Sequence, residues 1–461
     1  MATTIEQKPL YTQLPVGQEV IFVVSNNTIV SGFTNVRFIA DVYISETTPS
    51  SITTTSTATA TFKTTPNNAG VGIFDFKQVV ENYVSADNMA YNQSKYKTTV
   101  TSDDTPHPIH LIDKYSRNKK TFRWLTIQFK TQYTDANGDV QTVQEINSVD
   151  YQLFNGYLKY TDELSIFNND FGYDLGNYNL SSPTDRFLTN APATQYANLE
   201  DYGTIAFLSP NADLSYIKLI YKNSADVQIG TENITKNWTN GAYTNFSTYI
   251  SERLLYFGCF PANLQNWSGT FNALVSPVDQ MSGGSIVVQA FDASDDAISK
   301  GYTINVNCPN LKGYESIRLC WLNQWGAWDY YTFTQKSIRS ISTKGSTYEQ
   351  LAGTWNEAAY RVDSYKGGKK SFRVNATEKI TMNSDFVSES ENDMLEELIN
   401  SPEVYILEGY QDDGAYSALN QYVKPVRLTT SSFVKKTVAN DKLIQYTFEV
   451  EKSKTLRTQS V

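Results

Sequence analysis

The chain has 461 residues, with 38 basic and 48 acidic side chains, a formal net charge of −10 and only two histidines. That length predicts roughly three domains, each large enough to fold without disulfide or metal staples. The acidic balance argues against sequence-independent nucleic-acid binding, which needs basic clusters to displace counterions; Lys119-Lys120 and Lys369-Lys370 are too short to supply one.

Only 19% of the residues are charged, against roughly 25% in ordinary soluble domains. Polarity comes instead from Asn, Ser, Thr, Gln and 31 Tyr. Such a surface suits burial against neighbouring subunits, because charge is costly to desolvate while Tyr is favoured in interface cores. Cys259, Cys308 and Cys320 lie far apart with no C-x-x-C, which predicts free buried thiols in a reducing compartment and no zinc site. The opening MATTIEQKPL has no basic and apolar signal regions, and no stretch of about 18 apolar residues follows. The expectation is a chain that is neither exported nor inserted in a membrane.

In chain order, the Thr/Ser-rich stretch Thr47 to Thr65 does not read as core. A short helix is predicted near Lys77 to Val84, where Val79, Val80, Tyr83 and Val84 share one face. Phe122 to about Glu145 predicts a hairpin: Leu125, Ile127 and Phe129 alternate onto one side, and Asp-Ala-Asn-Gly-Asp at 135 to 139 supplies the turn. The Tyr/Asn/Asp-rich stretch from about Thr161 to Asp201 is aperiodic. It holds too many aromatics for disorder, so it is expected to be an extended arm packed on its own chain or a neighbour. Ile217 to Tyr221 pairs with Val227 to Gly230, and Ser285 to Phe291 pairs with Ile298 to Val306, each across a polar turn. A second helix is marked by Ser388-Glu389-Ser390-Glu391 at capping-box spacing, an apolar stripe of Met394, Leu395, Leu398 and Ile399, and a stop at Pro402. Strands are expected after it at Val404 to Leu407, Val423 to Leu428 and Lys442 to Val450.

The fold class predicted from this pattern is mostly β, several antiparallel β-sandwich, Ig-like domains with one or two short flanking helices. The expected division is an N-terminal β domain over 1–159, the arm over 160–201, an Ig-like sandwich over 202–309, and a C-terminal sandwich over 310–461 with a helix at about 388–400.

Chemistry is sparse. His107 and His110 lie in a Pro-flanked run, DDTPHPIH, with Asp103 and Asp104 beside them; a loop entering a strand is favoured over a metal cluster or a catalytic histidine. Asp135, Asn137 and Asp139 begin like a calcium loop, but Val140 stands where glycine is needed and Ile146 where glutamate is needed, which leaves a hairpin turn. Gly367-Gly368-Lys369-Lys370-Ser371 lacks the first glycine of a phosphate loop, since Asp363 stands there. No catalytic, cofactor or metal residue is therefore assigned. The densest aromatic run, Arg318 to Phe333, holds Trp321, Trp325 and Trp328. A buried hairpin with its turn at Gln324 to Ala327 is favoured, with Trp325 and Trp328 as the candidate surface-aromatic contacts for a sugar ring.

Several stretches resemble virion structural proteins of tailed bacteriophages: FKTTPNNAGVGIFDFKQVVENYV at 62 to 84, RFLTNAPATQYANLEDYGTIAFL at 186 to 208, SIRLCWLNQWGAWDYYTFT at 316 to 334, FVSESENDMLEELINSPEVYI at 386 to 406, Lys424 to Leu428, and NDKLIQYTFEVE at 440 to 451. Together they cover 103 of the 461 residues. The resemblance is to distal-tail, tail-tube and baseplate-adaptor proteins. It implies a non-enzymatic, tail-tube-like β protein that assembles as an oligomer with copies of itself and other virion proteins at the tail tip, baseplate or neck. The implied location is the virion, assembled in the host cytoplasm, with no cofactor, nucleic acid or membrane insertion. The alternatives are a receptor- or glycan-binding virion module built around the Trp325/Trp328 turn and the Thr-rich loop, with a host surface glycan as its partner, and a tail-associated polysaccharide-degrading enzyme built on paired carboxylates. Thr204 to Leu208 and Ile286 to Ala290 lack the charge or proline that protects a free sheet edge, which predicts cover by a sibling subunit.

Overall fold

In the computed structural model the described residues are 2–46, 52, 56–85, 115–118, 121–143, 145–158, 175–209, 213–236, 254–275, 280–307, 314–354, 356–408, 423–437 and 444–457. The chain is mostly β, with antiparallel pairing dominant and only short helices. It divides into two compact units: one holds the chain up to residue 308 together with 322–329, and the other holds 309–321, 330–410 and the C-terminal segment from 420.

In the first unit, a three-stranded sheet (Thr4–Gln7, Ile21–Ser25, Val71–Asp75) shares one core with a seven-stranded sheet centred on Thr34–Ser45 and Phe122–Thr134. Alternation explains this: Leu125, Ile127 and Phe129 on one strand and Phe38, Ala40 and Val42 on the other are all buried with Phe22 and Val24 from the smaller sheet. Phe22, Phe74, Phe76 and Phe129 pack ring to ring in that core. The predicted hairpin is present, with Val140–Thr142 returning against Phe122–Thr134. Its turn is held by Asp135 Oδ1, which accepts from the Asn137 and Asp139 amides, while Gly138 takes the left-handed φ of 87°.

The same unit contains a five-stranded sheet, in the order Thr194–Asn198, Tyr302–Asn307, Ser285–Phe291, Tyr216–Lys222, Gln228–Thr235. A second three-stranded sheet (Thr204–Phe207, Leu254–Gly258, Tyr115–Asn118) shares its core. Both hairpins expected here are present. Three expectations need correction. Tyr115–Asn118 pairs with Leu254–Gly258, so the boundaries placed at about 159 and 201 do not separate compact units. The described part of the supposed arm is not merely draped: Thr194–Asn198 is a sheet strand parallel to Tyr302–Asn307, and Leu180, Phe187 and Leu188 are buried. The third is one of pairing alone: within the Thr/Ser-rich stretch Ala60–Thr64 is a strand paired with Thr34–Ser45, and no described residue of that stretch is buried, as expected of residues outside the core. Beyond the two predicted helices there are short ones at Asn27–Gly32, Pro261–Trp267 and Gly269–Val275.

The second unit is built on one seven-stranded sheet, ordered Trp328–Phe333, Ile317–Leu322, Val404–Leu407, Val423–Leu428, Thr447–Lys452, Gly368–Asn383, Ile338–Gln350. Among the described residues it is a single sheet with one helix rather than a sandwich. That helix, Asn392–Asn400, follows a 3-10 turn at Glu389–Glu391 whose capping box pairs Ser388 with Glu391, and it buries Met394, Leu395 and Leu398. The predicted Lys77 helix forms only at Lys77–Val80.

Candidate interaction surface

The outermost pair of strands in the second unit is longer than the sheet it belongs to. Ile338–Gln350 and Gly368–Asn383 pair antiparallel from Ile338 with Thr381 to Gln350 with Gly368. Thirteen paired positions at about 3.3 Å each make a ribbon of roughly 40 Å. On its inner side Gly368–Asn383 is flanked by Thr447–Lys452 only from Lys379 to Asn383, and by one further bridge between Ala376 and Leu456. Toward the tip, among the described residues, the two strands have only each other.

Register decides which side chains share a face, because residues directly opposite in an antiparallel pair point the same way. Ile380 and Met382 stand opposite Val450 and Phe448, and all four are buried in the sheet's core face. Continuing outward on that face come Glu378 opposite Ile341, Ala376 opposite Thr343, and Val374 opposite Gly345. The face stays apolar and small, yet it leaves the core: Ile341 is 63% and Val374 40% exposed. The one charged group at its root is neutralised. Arg339 donates to Glu315 at 2.6 Å and to Glu378 at 3.0 Å, and Lys452 also reaches Glu378 at 3.1 Å. Although burial works the other way, Lys452 and Arg339 together hold the Glu378 carboxyl below its ordinary range.

The opposite face carries Ser340, Ser342, Lys344 and Ser346 against Lys379, Thr377, Asn375 and Arg373. At the tip, Leu351, Tyr360, Val362 and Tyr365 are all exposed. Ile338–Gln350 is also an edge strand with no strand on its outer side among the described residues. From Ser340 to Thr347 it has one charged residue, Lys344, and no proline. Lys344 and the register shift at Ser346/Thr347 are its guards against pairing with another chain along that stretch.

The other sequence candidates lie elsewhere. Trp325 and Trp328 are 4% and 3% exposed, which corrects the surface-aromatic reading. The turn that carries them belongs to the first unit. Asn323 organises it, its Oδ1 accepting from the Trp325 and Ala327 amides and its Nδ2 donating to the Leu188 carbonyl. Trp325 packs on Tyr178 at 4.0 Å between ring centroids, and Tyr157 N donates to the Gln324 carbonyl. Next to it, burial pushes the Asp329 carboxyl up to about 6 even though Thr189, Asn323 and the Asn190 amide favour its charged form.

Asp135, Asn137 and Asp139 are the hairpin turn already described. Gly367 and Gly368 take φ of 91° and 73° in the ribbon's tip, where Lys366 pairs with Asp363 and Lys370 donates to the Tyr365 carbonyl. His107, His110, Asp103 and Asp104 lie outside the described residues. No group of three or more His, Cys, Asp or Glu suited to a metal ion occurs among the described residues.

Both supposed open edges are covered within the chain. Ser285–Phe291 lies between two strands of its sheet, and Thr204–Phe207 is flanked on its outer side by the Leu188 amide bonded to Ala206 and the Leu180 amide bonded to Leu208. Among the described residues the ribbon's outer strand, Ile338–Gln350, is the longest of the strands that end a sheet. The ribbon's signal is present as β-branched and Ser/Thr residues in ISTKGSTY and SFRVNATEKITM. Ile338–Gln350 lacks the apolar alternation that a core-facing strand displays, whereas along its partner Phe372, Val374, Ala376, Ile380 and Met382 alternate with polar residues.

No family model matches the chain, and no curated protein matches it.

Proposed function

We propose that this chain is a non-enzymatic structural component of a tailed phage particle that assembles as an oligomer, at the tail tip, baseplate or neck. The observation that carries the reading is the ribbon, where an apolar sheet face continues past its own core and ends in an exposed edge. A two-stranded ribbon is marginally stable alone in water, so a long one makes physical sense when another chain covers it. The low charge content and the sequence resemblance to virion proteins add support. With Trp325 and Trp328 buried, the receptor- or glycan-binding alternative loses its aromatic platform.

Mass spectrometry and cryo-imaging of purified particles test the reading. It expects the chain at symmetric positions in the tail apparatus, with the ribbon in contact with another subunit. Absence of the chain from purified particles, or turnover of a small compound by the isolated chain, would overturn it.

A further inference from the structure

Charge is divided unevenly along the chain. Residues 1–308 hold 19 basic and 29 acidic side chains, whereas residues 309–461 hold 19 of each. Within that neutral remainder, the ribbon and its tip, residues 338–383, hold eight basic and four acidic side chains, a net of +4. Lys344 and Arg373 are diagonal neighbours on the ribbon face opposite Ile341 and Val374, since Lys344 stands across from Asn375 and Ser346 across from Arg373. Both are exposed. The hairpin turns of the first unit have the contrary character. Asp292 to Asp296 holds three carboxylates and Asp135 to Asp139 two, with no basic residue in either; Asp139, Asp295 and Asp296 are exposed.

These charges select between two ways of covering the ribbon. Edge-to-edge pairing of two ribbons would bring two net-positive elements together, with Lys344 in the middle of each edge strand, inside the screening length of about 8 Å in physiological salt. Laying the ribbon on an acidic surface sets opposite charges together and steers the encounter. We propose that the ribbon of one copy docks on the acidic first unit of the next copy, in a head-to-tail contact that repeats from subunit to subunit. The proposal rests on the reading of the ribbon as an assembly surface and adds its partner and its polarity.

A head-to-tail contact gives each copy one donor surface and one acceptor surface. A chain whose residues 344–375 are replaced by an Asn-Gly turn keeps the acceptor and loses the donor. In sedimentation velocity at 50 mM NaCl it should run as a monomer alone, yet bind the full chain and shorten the oligomers that the full chain forms. The K344E/R373E variant, which takes the ribbon from +4 to zero, should self-associate at least tenfold more weakly while still capping the full chain. It also serves as the donor-defective variant should the shortened chain fail to fold. Association of the full chain should weaken at least tenfold between 50 and 500 mM NaCl.

If the full chain associates but neither variant caps it, or if salt and charge reversal leave association unchanged, the contact is ribbon to ribbon or purely apolar. The assembly reading then survives and this proposal does not. A full chain that stays monomeric in every condition contradicts both.

Discussion

Ala376 and Leu456 exchange two backbone hydrogen bonds, each of 2.8 Å, and with them the flanking support of the ribbon ends. Between Lys379 and Thr381 the inner ribbon strand is paired on both sides, while from Gly368 to Asn375 its only strand neighbour among the described residues is Ile338–Gln350. Local opening is cheapest where few buried contacts hold the backbone. In the free chain, amides from Thr343 to Tyr348 and from Ser371 to Asn375 should therefore exchange at least a hundredfold faster than those from Ile380 to Met382. Hydrogen exchange read by mass spectrometry checks this, and the difference should shrink on assembly.

Asp329 is buried, and its Oδ1 accepts from Thr189 Oγ1 at 2.5 Å. Burial raises its pKa from 3.8 to about 6. Between those values the folded state binds the proton more than the unfolded state does. The stability this group contributes is thus full below about pH 4 and is lost as pH rises through about 6. At 1.36 kcal/mol per pKa unit the change is on the order of 3 kcal/mol. Urea unfolding of the native chain and of Asp329→Asn, compared from pH 4 to pH 8, should give a difference that grows in favour of the variant with rising pH. A constant difference would rule out the shift.

Gly326 takes φ of 71°, and a Cβ placed there would lie 2.1 Å from the Asn155 carbonyl oxygen. Both the left-handed backbone and the backbone contact oppose any side chain. Gly326→Ala should cost about 2–5 kcal/mol, from roughly 1–2 for the dihedral and 1–3 for the overlap. Chemical denaturation measures it, and a cost below about 1 kcal/mol would mean that the turn is looser than described.

Trp325 has a buried indole N–H with no hydrogen-bond partner among the described residues. Removing the whole ring should cost about 3–5 kcal/mol. Trp325→Phe should cost less than half of that, because it discards the unsatisfied donor and keeps most of the ring. Equal losses in both variants would place the indole nitrogen in a hydrogen bond.

Where local chemistry and burial agree, the fold was legible in the residues. Asn137-Gly138 announced its turn, the Ser388/Glu391 box announced its helix, and Leu125, Ile127 and Phe129 announced which side of their strand faces the core. Elsewhere the determinants are long-range. Thr194–Asn198 is a polar pentapeptide that becomes a strand by parallel pairing with Tyr302–Asn307, more than 100 residues away in the chain. Such a contact leaves no local periodicity. Trp325 and Trp328 sit at a turn, where exposure is the usual expectation, but both are buried, and Tyr178 packs on Trp325 from a segment that the sequence does not place. The ribbon escaped notice for the opposite reason. Ile338–Gln350 carries no apolar alternation, and in Gly368–Asn383 the alternation of Val374, Ala376, Ile380 and Met382 is interrupted by Glu378.

Sedimentation velocity of the full chain beside the Ile341→Lys/Val374→Lys double variant tests the assembly role of the ribbon most directly. Both side chains are well exposed in the single chain, so the variant should fold with an unchanged melting temperature. The full chain should sediment faster as its concentration rises, while the variant should remain a monomer. Identical behaviour of the two proteins, whether both monomeric or both associating to the same extent, would contradict it.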